Sequence, residues 1–156
     1  MTYSILLTVY DDLEAMTVSY VNKSGATVTA NCLNIDERAD SIQTAHLPCR
    51  ILTTTTPDTA TILRGAGIRT TWQITDLFLL ESAMRDAGKY IQTPVLKRYE
   101  VAYAEAIAKK WQLVHGESTE TLGLNLSMLA GQFEYPAGSG AWFYGVKCDV
   151  SFEEIF

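Results

Sequence analysis

The sequence predicts one α+β domain spanning residues 1–156, a mainly antiparallel sheet with two principal helices packed on one face, in the order α-β-β-β-β-α-β-β. Three observations point there. Residues 3–16 and the stretch after Thr93 carry their apolar side chains at helical spacing. Several other stretches alternate apolar and polar residues with the period of a half-buried strand. Strands gather before and after the second helix instead of alternating with helices, which favours an antiparallel sheet over repeated βαβ units. A chain of 156 residues with 47% hydrophobic and 19% charged residues is long enough to bury a sizeable core.

In the first segment Ile5, Leu6, Val9, Leu13 and Met16 fall on one side at 100° per residue, opposite Thr8, Asp11, Asp12 and Ala15. Thr2 is placed to act as its N-cap. Val18 to Thr29 reads as a β-hairpin around the turn residues Asn22-Lys23-Ser24-Gly25. Asn34 to Thr44 is a long polar loop containing Asp36, Glu37, Arg38 and Asp40, a candidate surface for contact with a partner. His46 to Leu52 begins a strand. Pro48 marks either an edge strand or a strand's first residue, because proline donates nothing to a ladder.

Thr53 to Ala66 is Thr-rich, holds Pro57, and runs into Gly65-Ala66-Gly67. Ile68 to Glu81 is a long strand in which Trp72 and Ile74 alternate. Asp76 interrupts the pattern, and Leu77 and Leu79 continue on a shifted register, which places a bulge near Thr75. Thr93-Pro94 then opens the clearest helix, a cap followed by proline. Val95, Leu96, Tyr99, Ala102, Tyr103, Ala106 and Ile107 form its broad apolar face. A second stripe, Val101, Ala104 and Ala108, is either ordinary alanine-rich surface or a contact with another subunit. In the last third Leu122, Leu124, Leu126, Met128 and Ala130 alternate with small or polar residues. Pro136 to Gly140 turns the chain, and Trp142, Tyr144, Val146, Cys148, Val150 and Phe152 form one face of a long strand paired to the first.

The net charge of −6 and the scattering of Lys and Arg, paired only at Lys97-Arg98 and Lys109-Lys110, argue against phosphate-driven nucleic-acid binding. The alternative is a basic stripe gathered by folding from Arg50, Arg64, Arg69 and Arg85. Cys32, Cys49 and Cys148 have no CxxC spacing, and an odd count fits reduced thiols in a cytoplasm. Cys148 falls on an apolar strand face and reads as a buried thiol. Asp11, Asp12 and Glu14 follow Ile5-Leu6-Leu7 too closely for a signal peptide, so the sequons at Asn22 and Asn125 carry no sugar in such a compartment. No apolar run approaches the length of a membrane span.

Motifs for chemistry are missing. His46 and His115 are the two histidines, and neither stands in HExxH or HxH spacing, so no metal is expected. Asp11-Asp12 is the solvent face of a helix, where adjacent residues diverge by about 100°. Gly65-Ala66-Gly67 lacks the spacing of a phosphate loop and precedes a strand, and Gly138-Ser139-Gly140 is a hairpin turn instead of a nucleophile elbow. Glu153-Glu154 has no apolar pocket implied around it. No catalytic, cofactor or metal residue is assigned.

The element order and three local patterns resemble the tail terminator proteins of long-tailed bacteriophages. An amphipathic N-terminal helix leads into short strands and a polar loop. Thr44-Ala45-His46-Leu47-Pro48-Cys49-Arg50-Ile51-Leu52 resembles the family's loop into Leu-Pro and an apolar strand. Gly140-Ala141-Trp142-Phe143-Tyr144-Gly145-Val146-Lys147-Cys148-Asp149-Val150-Ser151-Phe152-Glu153-Glu154 resembles its last strand. The resemblance covers most of the chain, although His46 stands where the family pattern has an acidic residue. It implies a homo-oligomeric ring, usually a hexamer, in the virion and assembled in the host cytoplasm. Such a ring stops tail-tube polymerisation, binds the tail tube protein, presents a docking surface to the head connector or neck protein, and lets DNA pass without specific binding. It implies no enzyme activity, no cofactor and no membrane. Two other classes stay open: another neck or tail-completion structural protein, and an enzyme or small-ligand binding domain without a local motif.

Overall fold

A computed structural model describes residues 5–33, 42, 44–53, 57–65, 67–83, 93–114 and 121–156. Helix α1 is Ile5–Ala15 and helix α2 is Thr93–Val114. The strands are β1 Val18–Val21, β2 Thr27–Cys32, β3 Cys49–Thr53, β4 Thr59–Leu63, β5 Gly67–Ser82, β6 Thr121–Glu134 and β7 Trp142–Ile155. They form one seven-stranded sheet in the order β1-β2-β3-β5-β7-β6, with β4 paired to the first half of β5. Every pairing is antiparallel except β2 with β3. The fold is α+β, as the periodicities predict, with one strand more than expected.

Both helices lie on one face. Val9, Leu13 and Met16 of α1 join Val95, Leu96, Tyr99, Tyr103 and Ile107 of α2 over Ile74, Phe78, Val146, Cys148, Val150 and Phe152 of the central strands. Each such side chain contributes on the order of 1.5–3 kcal/mol on leaving water. Tyr99 stacks on Phe78 with ring centroids 3.7 Å apart, and Tyr20 of β1 meets both rings edge-on. The β1–β2 turn closes as its sequence suggests. The Asn22 side-chain oxygen accepts from the backbone N–H of Ser24 and of Ala26 at 3.0 Å each, and Gly25 takes the positive φ of 87°.

The structure corrects three expectations. The Thr-rich stretch forms strand β4, because its alternate β-branched residues pair with Gly67 to Thr71 of β5. The irregularity in β5 lies between Leu79 and Glu81, not at Thr75. Asp76 keeps the register and faces the helices with Ile74 and Phe78; Leu77 and Leu79 face the other way, into a second cluster with Leu33, Cys49, Ile51 and Phe143. An apparent phase shift in the sequence is therefore a strand covered on both faces. For the same reason Phe143 is buried while Trp142, expected inside, is 42% exposed. Of the two readings of Pro48, the strand start holds: it immediately precedes β3, an internal strand between β2 and β5. Gly145 is required where β7 passes β5 closely, because a Cβ there would stand 2.0 Å from the Phe78 carbonyl oxygen.

Candidate functional site

The most concentrated polar chemistry lies in the core. Arg50 on β3 and Asp76 on β5 have side chains at 0% exposure. The Arg50 Nε donates to both Asp76 oxygens, at 3.3 and 3.1 Å, and Nη2 forms a close ion pair with Asp76 Oδ2. The other guanidinium contacts close the end of α1, with Nη1 donating to the Met16 carbonyl and Nη2 to the Leu13 carbonyl at 2.8 Å. Those carbonyls are the orphan acceptors of a helix C-terminus, and a cation suits that end of the macrodipole. Tyr103 of α2 donates its hydroxyl to Asp76 Oδ2 at 2.9 Å, and its ring sits 5.9 Å from the Arg50 guanidinium carbon.

Burial disfavours the Arg50 charge, but the adjacent Asp76 carboxylate more than offsets that and holds the guanidinium above its ordinary value. Burial, then the Asp76 charge, push Tyr103 and Cys148 well above their usual ranges. The Arg50 nitrogens and both Asp76 oxygens are engaged by protein, and neither side chain reaches solvent. The network therefore ties α1, β3, β5 and α2 together and has no side open to a substrate. Arg50 is also removed from any basic stripe on the surface.

On α2, Val101 is 61% exposed, Ala108 is exposed and Ala104 is half-buried, so the stripe does reach the surface. Asp36, Glu37, Arg38 and Asp40 lie outside the described residues, as do Thr2, Arg85 and His115. His46 is half-buried in a single turn of 3-10 helix, Thr44–His46, ahead of β3. Arg64 and Arg69 are exposed on the β4–β5 hairpin. The three cysteines are free thiols, with Cys49 and Cys148 buried. Among the described residues no three His, Cys, Asp or Glu side chains gather around a common point, and no helix is long and apolar enough to cross a membrane.

Two surface features escape sequence reasoning. The first is a pocket of about 450 Å³ on the sheet face away from the helices, walled by Leu77, Leu129, Phe133 and Tyr135, with Thr53 and Lys147 beside them. It forms because the second apolar cluster covers only one end of that face. Beyond it the face turns polar, where Thr75 donates to Asp149 at 2.6 Å and Lys147 lies 3.6 Å from the same carboxylate. The second feature is the β4–β5 hairpin itself, an arm whose exposed Ile62 pairs with Ile68. No protein-family model, curated protein or solved structure matches the chain.

Proposed function

We propose that this chain is a tail terminator subunit of a long-tailed bacteriophage, a structural virion protein that caps the tail tube as a ring, ends its polymerisation and offers a surface to the head connector. One observation carries the reading. The segments that resemble that family are α1, the Leu47-Pro48 entry into β3, and β7, and they converge on a single unit. Arg50 at the start of β3 closes the end of α1 and pairs with Asp76 of β5, which is itself laddered to β7 from Arg69 to Ser82. The resembling pieces thus belong to one mechanical core. The buried polar groups are used to fasten elements, consistent with a scaffold role.

The test is capture. Immobilised full-length protein should retain the tail tube protein and, separately, the connector or neck protein, and adding it to polymerising tubes should shorten them. Capture of the connector with no effect on tubes favours another neck component. Capture of neither component overturns the assignment to the virion.

A further inference from the structure

We propose that the β4–β5 arm of one copy seats Ile62 in the pocket walled by Leu77, Leu129, Phe133 and Tyr135 on the next copy, so that the chain associates head to tail. The proposal rests on the ring reading above and supplies its subunit junction.

The arm carries an apolar row that its own chain covers only at one end, where the Phe156 ring meets Trp72 edge-on at 6.3 Å, and Ile62 at the other end stands in water. Ile62 is directly opposite Ile68 in the β4–β5 ladder. Ile68 in turn exchanges both backbone hydrogen bonds with Phe156, just past the end of β7, at 3.0 and 2.9 Å, so the three side chains stand in line across β4, β5 and the C-terminal residue. They are 83%, 41% and 56% exposed. Side chains of this size seldom stand together in solvent without a partner. The arm is held at its base. Gly67, at φ 92°, lets the Phe156 carbonyl approach to where a Cβ would stand only 1.8 Å away.

The same chain carries an unfilled apolar recess of about 450 Å³. It cannot receive its own arm. Alternation along β5 puts Ile68 on the helix-covered side of the strand and Leu77 on the other side. The two positions are also nine residues apart on one strand, roughly 30 Å at ~3.3 Å per residue. A projection on one side and end of the sheet and a recess on the opposite side and end can meet only between copies. Such a contact is heterologous, and it generates a ring when the rotation closes.

Charge selects the same occupant. The chain carries −6 overall, so copies repel over most of their surface. The arm is the exception, with Arg64 and Arg69 exposed beside Ile62 and Ile68. At the pocket, Lys147 is held by Asp149, leaving Glu134 as the rim charge without an ion pair among the described residues. A basic arm therefore meets an acidic rim.

The experiment uses the full-length protein, with mass read by light scattering and folding by thermal melts. Ile62→Glu removes the knob and Leu129→Glu, at a position 61% exposed, blocks the recess. Each variant alone should keep a single cooperative melt, lowered only as lost association requires, and run at the mass of one chain, against an oligomeric wild type. Mixed in equal amounts, they should form a two-chain species and nothing larger, because only one intact arm faces one intact pocket. Arg64→Glu with Arg69→Glu should weaken the wild-type oligomer without dissociating it at high concentration. A variant that keeps the wild-type mass, or a mixture that stays at one-chain mass, overturns the junction, as does a monomeric wild type. The terminator reading fails separately: a junction that forms in a protein that captures no tail tube removes that reading and leaves the junction standing. Tube capture by a protein whose variants keep their mass does the reverse.

Discussion

Arg50 and Asp76 meet in the core by paired hydrogen bonds from strands β3 and β5, both fully buried, and the same guanidinium caps the carbonyl end of α1. A charge pair of this kind is a poor source of stability in isolation, because desolvation consumes most of the attraction. Its value here is positional. Apolar side chains in those two places would pack, but they would not fix where the first helix ends against the sheet.

Removing one partner should therefore be far worse than removing both. Asp76→Asn leaves a buried guanidinium uncompensated and should lower stability by about 3–5 kcal/mol. Arg50→Met with Asp76→Leu should recover much of that loss. It should fall short of wild type by roughly 1–3 kcal/mol, because the Leu13 and Met16 carbonyls lose their buried donor. Urea unfolding of the three proteins checks the order. A double variant no better than Asp76→Asn would mean that the α1 cap, not the charge pair, dominates.

The two faces of β7 make a sharper contrast than its sequence alone allows. Val146 is at 0% exposure in the main core, whereas Lys147 points to the other face and stays partly in water. Val146→Asp should leave the protein insoluble or unfolded, since a carboxylate replaces a buried side chain among apolar neighbours. Lys147→Asp breaks a half-exposed ion pair and should cost up to about 1 kcal/mol. Comparable solubility for both would show that the β5–β7 register is misassigned.

Alkaline pH should loosen the fold from its core. Burial pushes Cys49 and Tyr20 each up to about 12, from ordinary values of 9.0 and 10.0. Burial likewise holds Tyr99, Tyr103 and Cys148 well above their usual ranges. Above pH 9 the unfolded chain begins to release protons that the folded chain keeps, so it binds fewer protons and stability falls as pH rises. The contribution is intact below 9 and is lost progressively towards 12. The urea midpoint should be flat around neutrality and decline through that window. A midpoint that holds to the upper end would mean these groups titrate in the folded state as freely as in the unfolded one.

Much of the architecture is legible because periodicity reports which side of an element is dry. The apolar face of α2 from Val95 to Ile107 and the alternation from Val146 to Phe152 are both found where their spacing puts them. Periodicity fails where a strand is dry on both sides. Leu77 and Leu79 then look like a slipped register, and Phe143 looks like a surface residue, because nothing local announces that a second cluster covers them. A charge inside a strand is equally mute. Asp76 reads as a break and Arg50 as surface, since the partner that makes each tolerable lies 26 residues away. The pocket and the arm were invisible for a related reason: a recess is a relation among β3, β5, β6 and β7, and no single segment contains it.

Charge bears finally on passage of DNA. A duplex moving through a ring must slide, and Lys or Arg side chains fixed on the wall would neutralise phosphates, release counterions and hold it. Of the arginines that might have formed such a wall, Arg50 is spent in the core, and Arg64 and Arg69 sit on the arm, where the proposed junction sets them against the neighbour's Glu134. The remainder of a chain with net charge −6 offers a duplex little to bind. We therefore expect no gel shift of duplex DNA at micromolar protein and physiological salt. As salt is lowered, any residual affinity should rise only weakly, since each neutralised phosphate contributes about −0.9 to the slope of log affinity against log salt. A slope near zero or −1 fits an unpaired residue or two. A complex that forms at micromolar protein and dissolves with salt along a slope of about −4 or steeper would require a ring of unpaired basic side chains facing the duplex, and would remove passive passage from the account.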